Sequence, residues 1–167
     1  MATSTKQTVK NTETDKKILP VQTKYEDSHF VDATKSVWNY SLFNDEDIRN
    51  FQNGTLYNGY ELFGSHQLEV LNKTGFYFAV WAPNATKVSV VGHFNNWKKD
   101  EYPLYVRLDS SGIWEGFIPD MKKGEAYKYH IKGYKGVEID KGDPYANFWE
   151  KRPETASITW QMQHNWT

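Results

Sequence analysis

The chain has 167 residues, which is enough for one domain with a real core plus accessory segments. Its formal net charge of −1 gives no electrostatic case for nucleic acid or an anionic membrane as partner. The absence of cysteine excludes a disulfide framework, a thiol nucleophile and cysteine-based zinc sites.

The aromatic fraction of 16%, with seven Trp, suits strands and also surfaces that bind by stacking. The N-terminus, MATSTKQTVKNTETDKK, lacks the apolar run of a signal peptide, and no stretch reaches transmembrane length. Together with the missing cysteines this favours the cytoplasm. The five N-x-[ST] sequons, at Asn39, Asn53, Asn72, Asn84 and Asn165, are then accidents of a chain rich in Asn and Thr.

Residues 1–36 are rich in Thr, Lys, Asp and Glu, too polar to offset the entropy of ordering, and are expected to form a flexible tail. Residues 37–56 form a lead-in segment with a short helix. Asn44 or Asp45 can cap that helix, Glu46 and Asp47 suit its N-terminal dipole, and Ile48 and Phe51 share a face. Gly54 stands where a C′ glycine belongs. The stretch YNGYELFGSHQLEVL (57–71) mixes strand residues with glycines, and His66 within it reads as a hydrogen-bonded structural histidine.

A clearer pattern begins at Phe76. Phe76, Phe78 and Val80 alternate with Tyr77, Ala79 and Trp81, as in a strand with two unlike faces, and Pro83 ends it. Asn84-Ala85-Thr86 is a turn, and Lys87–Val91 starts the return strand. Gly92 frees the chain to enter a polar loop, His93-Phe94-Asn95-Asn96-Trp97. Further strands are predicted at Leu104–Leu108, Ile113–Ile118, Ala126–Ile131, Val137–Ile139 and Ala156–Trp160, separated by turn residues. Short strands at such intervals predict an all-β fold, a sandwich spanning 57–160. Trp81 and Trp114, inside strands, are read as packing in the core or at an interface. Asp140 and Asp143 are read as a solvated loop and a turn cap.

No motif for a hydrolase elbow, phosphate loop, dinucleotide site or zinc protease occurs. Trp97 lies outside the strand pattern. Exposed, its ring can lie on the C–H face of a sugar while Asn amides and Lys128 reach hydroxyls. Folded back, it plugs the end of the sandwich. The pattern leaves both readings open.

WAPNATKVSVVGHFNNW (81–97), SGIWEGFIP (111–119), AYKYHI (126–131), DPYA (143–146) and RPETAS (152–157) together resemble carbohydrate-binding module family 48, in the form found at the front of bacterial glycogen branching enzymes. The resemblance covers about Tyr57 to Trp160. It implies an immunoglobulin-like β-sandwich and an α-glucan partner, glycogen or malto-oligosaccharide. It implies no metal and no organic cofactor. In glucan-binding members the F-N-x-W tryptophan stacks on glucose and the Y-K-Y/F lysine helps hold it, which points to Trp97 and Lys128, with Asn95 and Asn96 in the loop. Kinase subunits of the family carry a second tryptophan after the Y-K-F strand, near where this chain has Tyr134. An α-amylase-type catalytic barrel is expected beyond residues 161–167 in the branching type, and none of its catalytic motifs is in this chain. The resemblance is also compatible with a structural module docked on that barrel, and with a stand-alone glycogen-targeting adaptor.

Overall fold

The computed structural model describes residues 31–161. In chain order the elements are α1 (Asp45–Gln52), β1 (Gly64–Val70), β2 (Lys73–Trp81), β3 (Ala85–Gly92), β4 (Tyr105–Val106), β5 (Ile113–Pro119), β6 (Ala126–Gly133), β7 (Glu138–Lys141), β8 (Phe148–Trp149) and β9 (Ser157–Ile158). One-turn 3₁₀ helices occupy Gly59–Glu61, His93–Asn95 and Tyr134–Gly136.

The strands form two antiparallel sheets. One has the order β1-β2-β5-β4, and the other β3-β6-β9-β8 with β7 also paired to β6. The chain changes sheet at Pro83, where proline cannot continue the ladder. Phe76, Phe78 and Val80 of β2 meet Val88 and Val90 of β3, Trp114 and Ile118 of β5, and Tyr127 and Tyr129 of β6. That is the expected sandwich core.

The other face of the first sheet is covered as well. Tyr77, Ala79, Ile113 and Phe117 pack under Trp38, Phe43 and Ile48 of the lead-in and under Leu62 and Phe63, just before β1. The alternation in β2 therefore separates two buried faces, not a buried face from a wet one. Within this third layer the Asn44 side chain accepts from Asp47 N at 2.8 Å, and Asp47 accepts from Asn44 N at 2.9 Å, a reciprocal cap for α1. Gly54 follows the C-cap Asn53 with φ of 73°.

The layer is anchored through Glu115, which is buried on that face. Its carboxylate accepts from Ser41 Oγ at 2.8 Å, Tyr77 Oη at 2.7 Å and Arg107 Nη1 at 2.7 Å. Burial raises the Glu115 pKa, against the pull of Arg107.

Several boundaries differ from the sequence expectation. The strand expected at 104–108 is only Tyr105–Val106, because residues 102–104 hydrogen-bond along β3 instead. β8 was not expected, and the last strand is shorter than 156–160. Trp81 is 57% exposed, at the rim of the third layer, with Nε1 donating to Ser111 O; only Trp114 of the two strand tryptophans is core. Asp143 is fully buried, accepting from Tyr127 Oη at 2.6 Å and Tyr129 Oη at 3.1 Å as well as from Tyr145 N. The DPYA turn is thus tied into the core, with its aspartate far from solvent. Most of the expected 1–36 tail lies outside the described residues. Of its last six, Val31 packs against the third layer and Ser36 Oγ donates to Glu101 O.

Candidate functional site

The site is built at the end of β3. A Cβ on Gly92 would lie 2.1 Å from Ala126 O and 2.7 Å from the Phe94 ring, so only glycine lets the chain turn this close to β6. Its N–H donates to Asn95 Oδ1 at 3.0 Å, and Asn95 Nδ2 donates to Lys98 O at 2.9 Å. Asn95 is buried, with both ends of its amide engaged inside the loop. It shapes the turn and offers nothing outward.

Asn96 and Trp97 then take the left-handed conformation, at φ of 53° and 58°. Trp97 N donates to Gly92 O at 2.9 Å, closing the loop. A bulky residue at positive φ costs on the order of 1–3 kcal/mol and persists only where neighbours hold it. The Trp97 indole is half-buried, with His93 set edge-on at 5.3 Å between centroids.

Lys128 reaches the same ring. It pairs with Val91 across the β3–β6 ladder and alternates with the inward Tyr127 and Tyr129, so it stands on the outer face beside the loop. Its Nζ lies 6.0 Å from the Trp97 centroid, at the outer limit of a cation–π contact, and donates to Thr155 Oγ1 at 2.8 Å. Thr155 was not predicted as part of the site. It lies 27 residues from Lys128, in a loop that only the β6–β9 pairing brings alongside.

Behind the ring, residues 98–101 are strapped to the sheet. Asp100 is held by Lys132 at 2.8 Å and Lys87 at 3.0 Å, and Lys99 pairs with Glu138 at 2.8 Å. Hydrogen bonds to Lys132 and then Lys87 lower the Asp100 pKa, and the bond to Lys99 lowers that of Glu138. Next to them His130, buried, has Nδ1 at 2.6 Å from Asp140.

The structure therefore brings Trp97, Lys128 and the loop asparagines together, with Asn96 exposed and Asn95 inside. It does not bring Tyr134 to them. Tyr134 is 69% exposed beyond the far end of β6, six residues past Lys128, or about 20 Å of extended chain. Among the described residues no group of three or more His, Asp or Glu is placed to hold a metal ion, and no helix is long and apolar enough to cross a membrane. A half-open indole beside an ammonium group can hold a neutral, hydroxyl-rich ligand with an apolar face.

The family model of carbohydrate-binding module 48 (isoamylase N-terminal domain) matches residues 62–146. The chain is 42% identical over 127 residues to the 1,4-alpha-glucan branching enzyme GlgB of Aquifex aeolicus, covering 76% of this chain and 20% of that protein. It is 46% identical over 120 residues to GlgB of Halothermothrix orenii, covering 72% and 19%. The chain thus spans about a fifth of the length of these curated relatives. Among solved structures, the maltotriose complex of PulA from Klebsiella pneumoniae aligns with a TM-score of 0.47 and 25% identity, over 62% of this chain and 11% of that one.

Proposed function

The chain belongs to the carbohydrate-binding module 48 family, and on that footing we propose that it holds an α-glucan, glycogen or a malto-oligosaccharide, against Trp97 for a glycogen-branching type of protein. The observation that carries this reading is the half-open Trp97 ring, fixed by the Gly92–Asn95 turn, with Lys128 6.0 Å from it. Glucose would lie with its C–H face on the indole, and Lys128, steadied by Thr155, would donate to a ring hydroxyl. Asn95 holds the turn. Asn96 is available at the rim, and Tyr134 would touch only a chain long enough to run the length of β6. The relatives' name, 1,4-alpha-glucan branching enzyme, supports the choice of an α-1,4-linked chain as ligand. In this reading the chain holds substrate, and the formation of α-1,6 branches belongs to other parts of such an enzyme.

One ring and a few hydrogen bonds correspond to a Kd on the order of 0.1–1 mM. The test is a maltoheptaose titration followed by amide shifts, comparing the natural chain with Trp97→Ala and Lys128→Ala. Trp97→Ala should abolish saturable binding, and Lys128→Ala should weaken it about fivefold, the worth of one net hydrogen bond. Equal affinity in the natural chain and Trp97→Ala would remove Trp97 from the site, and no binding by either would remove the reading.

A second reading, a bracing module docked on a neighbouring domain, is favoured by a different observation. Trp81 and Tyr145 are exposed at the third layer, where they meet Phe51 and Phe63. The two roles use different surfaces and are compatible.

A further inference from the structure

We propose that Asp100, Lys132 and Glu138 are positioning residues for sugar binding. With Lys87 and Lys99 they hold the Trp97 ring where a glucan can stack on it, without touching the sugar themselves. What the ring meets rests on the glucan reading above.

The strand register puts Lys87 of β3, Lys132 of β6 and Glu138 of β7 in one row across neighbouring strands. Strands in a sheet lie about 4.8 Å apart, so the two lysines stand side by side. Like charges directly opposite each other weaken a strand pair, so these lysines do not stabilise the β3–β6 ladder by themselves. The Asp100 carboxylate resolves that conflict. Its Oδ2 accepts from Lys132 Nζ at 2.8 Å, and its Oδ1 lies 3.0 Å from Lys87 Nζ. The residue before it has the opposite sign and takes the third member of the row, Lys99 donating to Glu138 at 2.8 Å. Two consecutive loop residues, a lysine and an aspartate, thus meet a row whose charges complement theirs. The pairs are partly buried and at contact distance, where salt screens them less than exposed charges held apart.

The turn needs such a hold. Asn96, Trp97 and Asp100 all have positive φ, at 53°, 58° and 66°. So many left-handed residues other than glycine, in so short a stretch, persist only where their neighbours hold them. The bonds from Trp97 N to Gly92 O and from Asn95 to Gly92 N and Lys98 O lie within the turn and fix its shape. The ion pairs of Lys99 and Asp100 fasten it to the sheet just after the ring, and Asp100 N adds a long bond to Ser89 Oγ at 3.4 Å. Loosening them lowers the fraction of molecules whose ring is in place, and apparent affinity falls in proportion to that fraction.

The experiment separates positioning from stability. Lys132→Met removes the bond to Asp100 but also the like-charge pair, so its urea midpoint should hold or rise. Asp100→Ala leaves the two lysines opposed and should lower the midpoint; if it does not fold, Lys132→Met carries the test. In each variant that folds, maltoheptaose affinity, read from amide shifts, should fall about fivefold, as for a ring in place about one-fifth of the time. The heteronuclear NOE of the Trp97 indole N–H, measured without sugar, should fall as well, because the ring gains fast motion. Glu138→Gln, which loosens the Lys99 tie, should give a smaller loss of the same kind. Natural affinity in Lys132→Met, with Trp97→Ala still abolishing binding, would overturn the positioning role and leave the glucan reading standing. A loss of affinity with the indole NOE unchanged would also overturn it, since the row would then act on the sugar directly. Absence of maltoheptaose binding by the natural chain would overturn both.

Discussion

Asn96 and Trp97 both occupy the left-handed region, and only asparagine among the two tolerates it well. At Asn96 the side chain is exposed, so its backbone role and any role in binding separate cleanly. Asn96→Gly should leave stability within about 0.5 kcal/mol, because glycine takes this conformation freely, and Asn96→Ala should cost about 1 kcal/mol. Urea unfolding measures both. If Asn96 serves the turn alone, Asn96→Gly also keeps maltoheptaose affinity; a fivefold loss at unchanged stability would make its amide a sugar contact. The resemblance picked out Trp97 and Lys128 because their motifs are short and local. The difference between Asn95 and Asn96 was not legible, since two adjacent asparagines look alike until one of them is found bonded to Gly92 N and Lys98 O. Thr155 was hidden for another reason: its contact with Lys128 depends on strand pairing, and no local pattern encodes it.

The third layer shows what alternation can and cannot say about an element. The period of two in β2 and β5 is real, yet a strand covered on both faces keeps the same period as one with a wet side. Glu115 is the residue that misleads, since a glutamate among Ile113 and Phe117 suggests solvent. Its partners are Arg107, eight residues away on the β4 side of the hairpin, and Tyr77 and Ser41, 38 and 74 residues away, which only the fold brings to it. The side chains are 13% exposed for Arg107 and 5% for Glu115 in this ion pair. Removing one partner of such a pair leaves a buried charge, which costs about 3–5 kcal/mol. Arg107→Met should therefore lower the urea midpoint strongly with little change in slope, and adding Glu115→Gln should recover much of the loss by removing the stranded charge. A loss for Arg107→Met below about 1 kcal/mol would mean that the third layer is held by its apolar contacts alone. Since this network ties the 37–43 segment to the first sheet and Trp97 belongs to the second, glucan affinity of the folded fraction should not change.

At the scale of the whole molecule, Trp97 is set apart from two of the exposed aromatic side chains, Trp81 and Tyr145. Trp97 stands at the end of the second sheet beside Lys128, whereas Trp81 and Tyr145 rim the third layer, at 57% and 44% exposure. The linkage between those two runs through Phe51 and Phe63: Trp81 lies 6.0 Å from Phe51, Phe51 5.4 Å from Phe63, and Phe63 stacks on Tyr145 at 5.2 Å. Any flat ring can stack weakly on a sugar, so exposure alone does not decide which one serves. What separates Trp97 from Trp81 and Tyr145 is its setting, on a hydrogen-bonded turn with an ammonium beside the ring and a hydroxyl behind the ammonium. Hydroxyl-radical footprinting of this chain with saturating maltoheptaose should therefore protect Trp97 several-fold and leave Trp81 and Tyr145 as reactive as before. Equal protection of all three would mean that binding follows exposed aromatic area, and Trp97 would lose its special place. Because the ligand is neutral and the chain carries a net charge of −1, the protection should also persist when salt is raised from about 0.1 to 1 M, a change that shortens electrostatic reach from about 10 to 3 Å. Loss of protection at high salt would shift the weight of binding from the ring to Lys128.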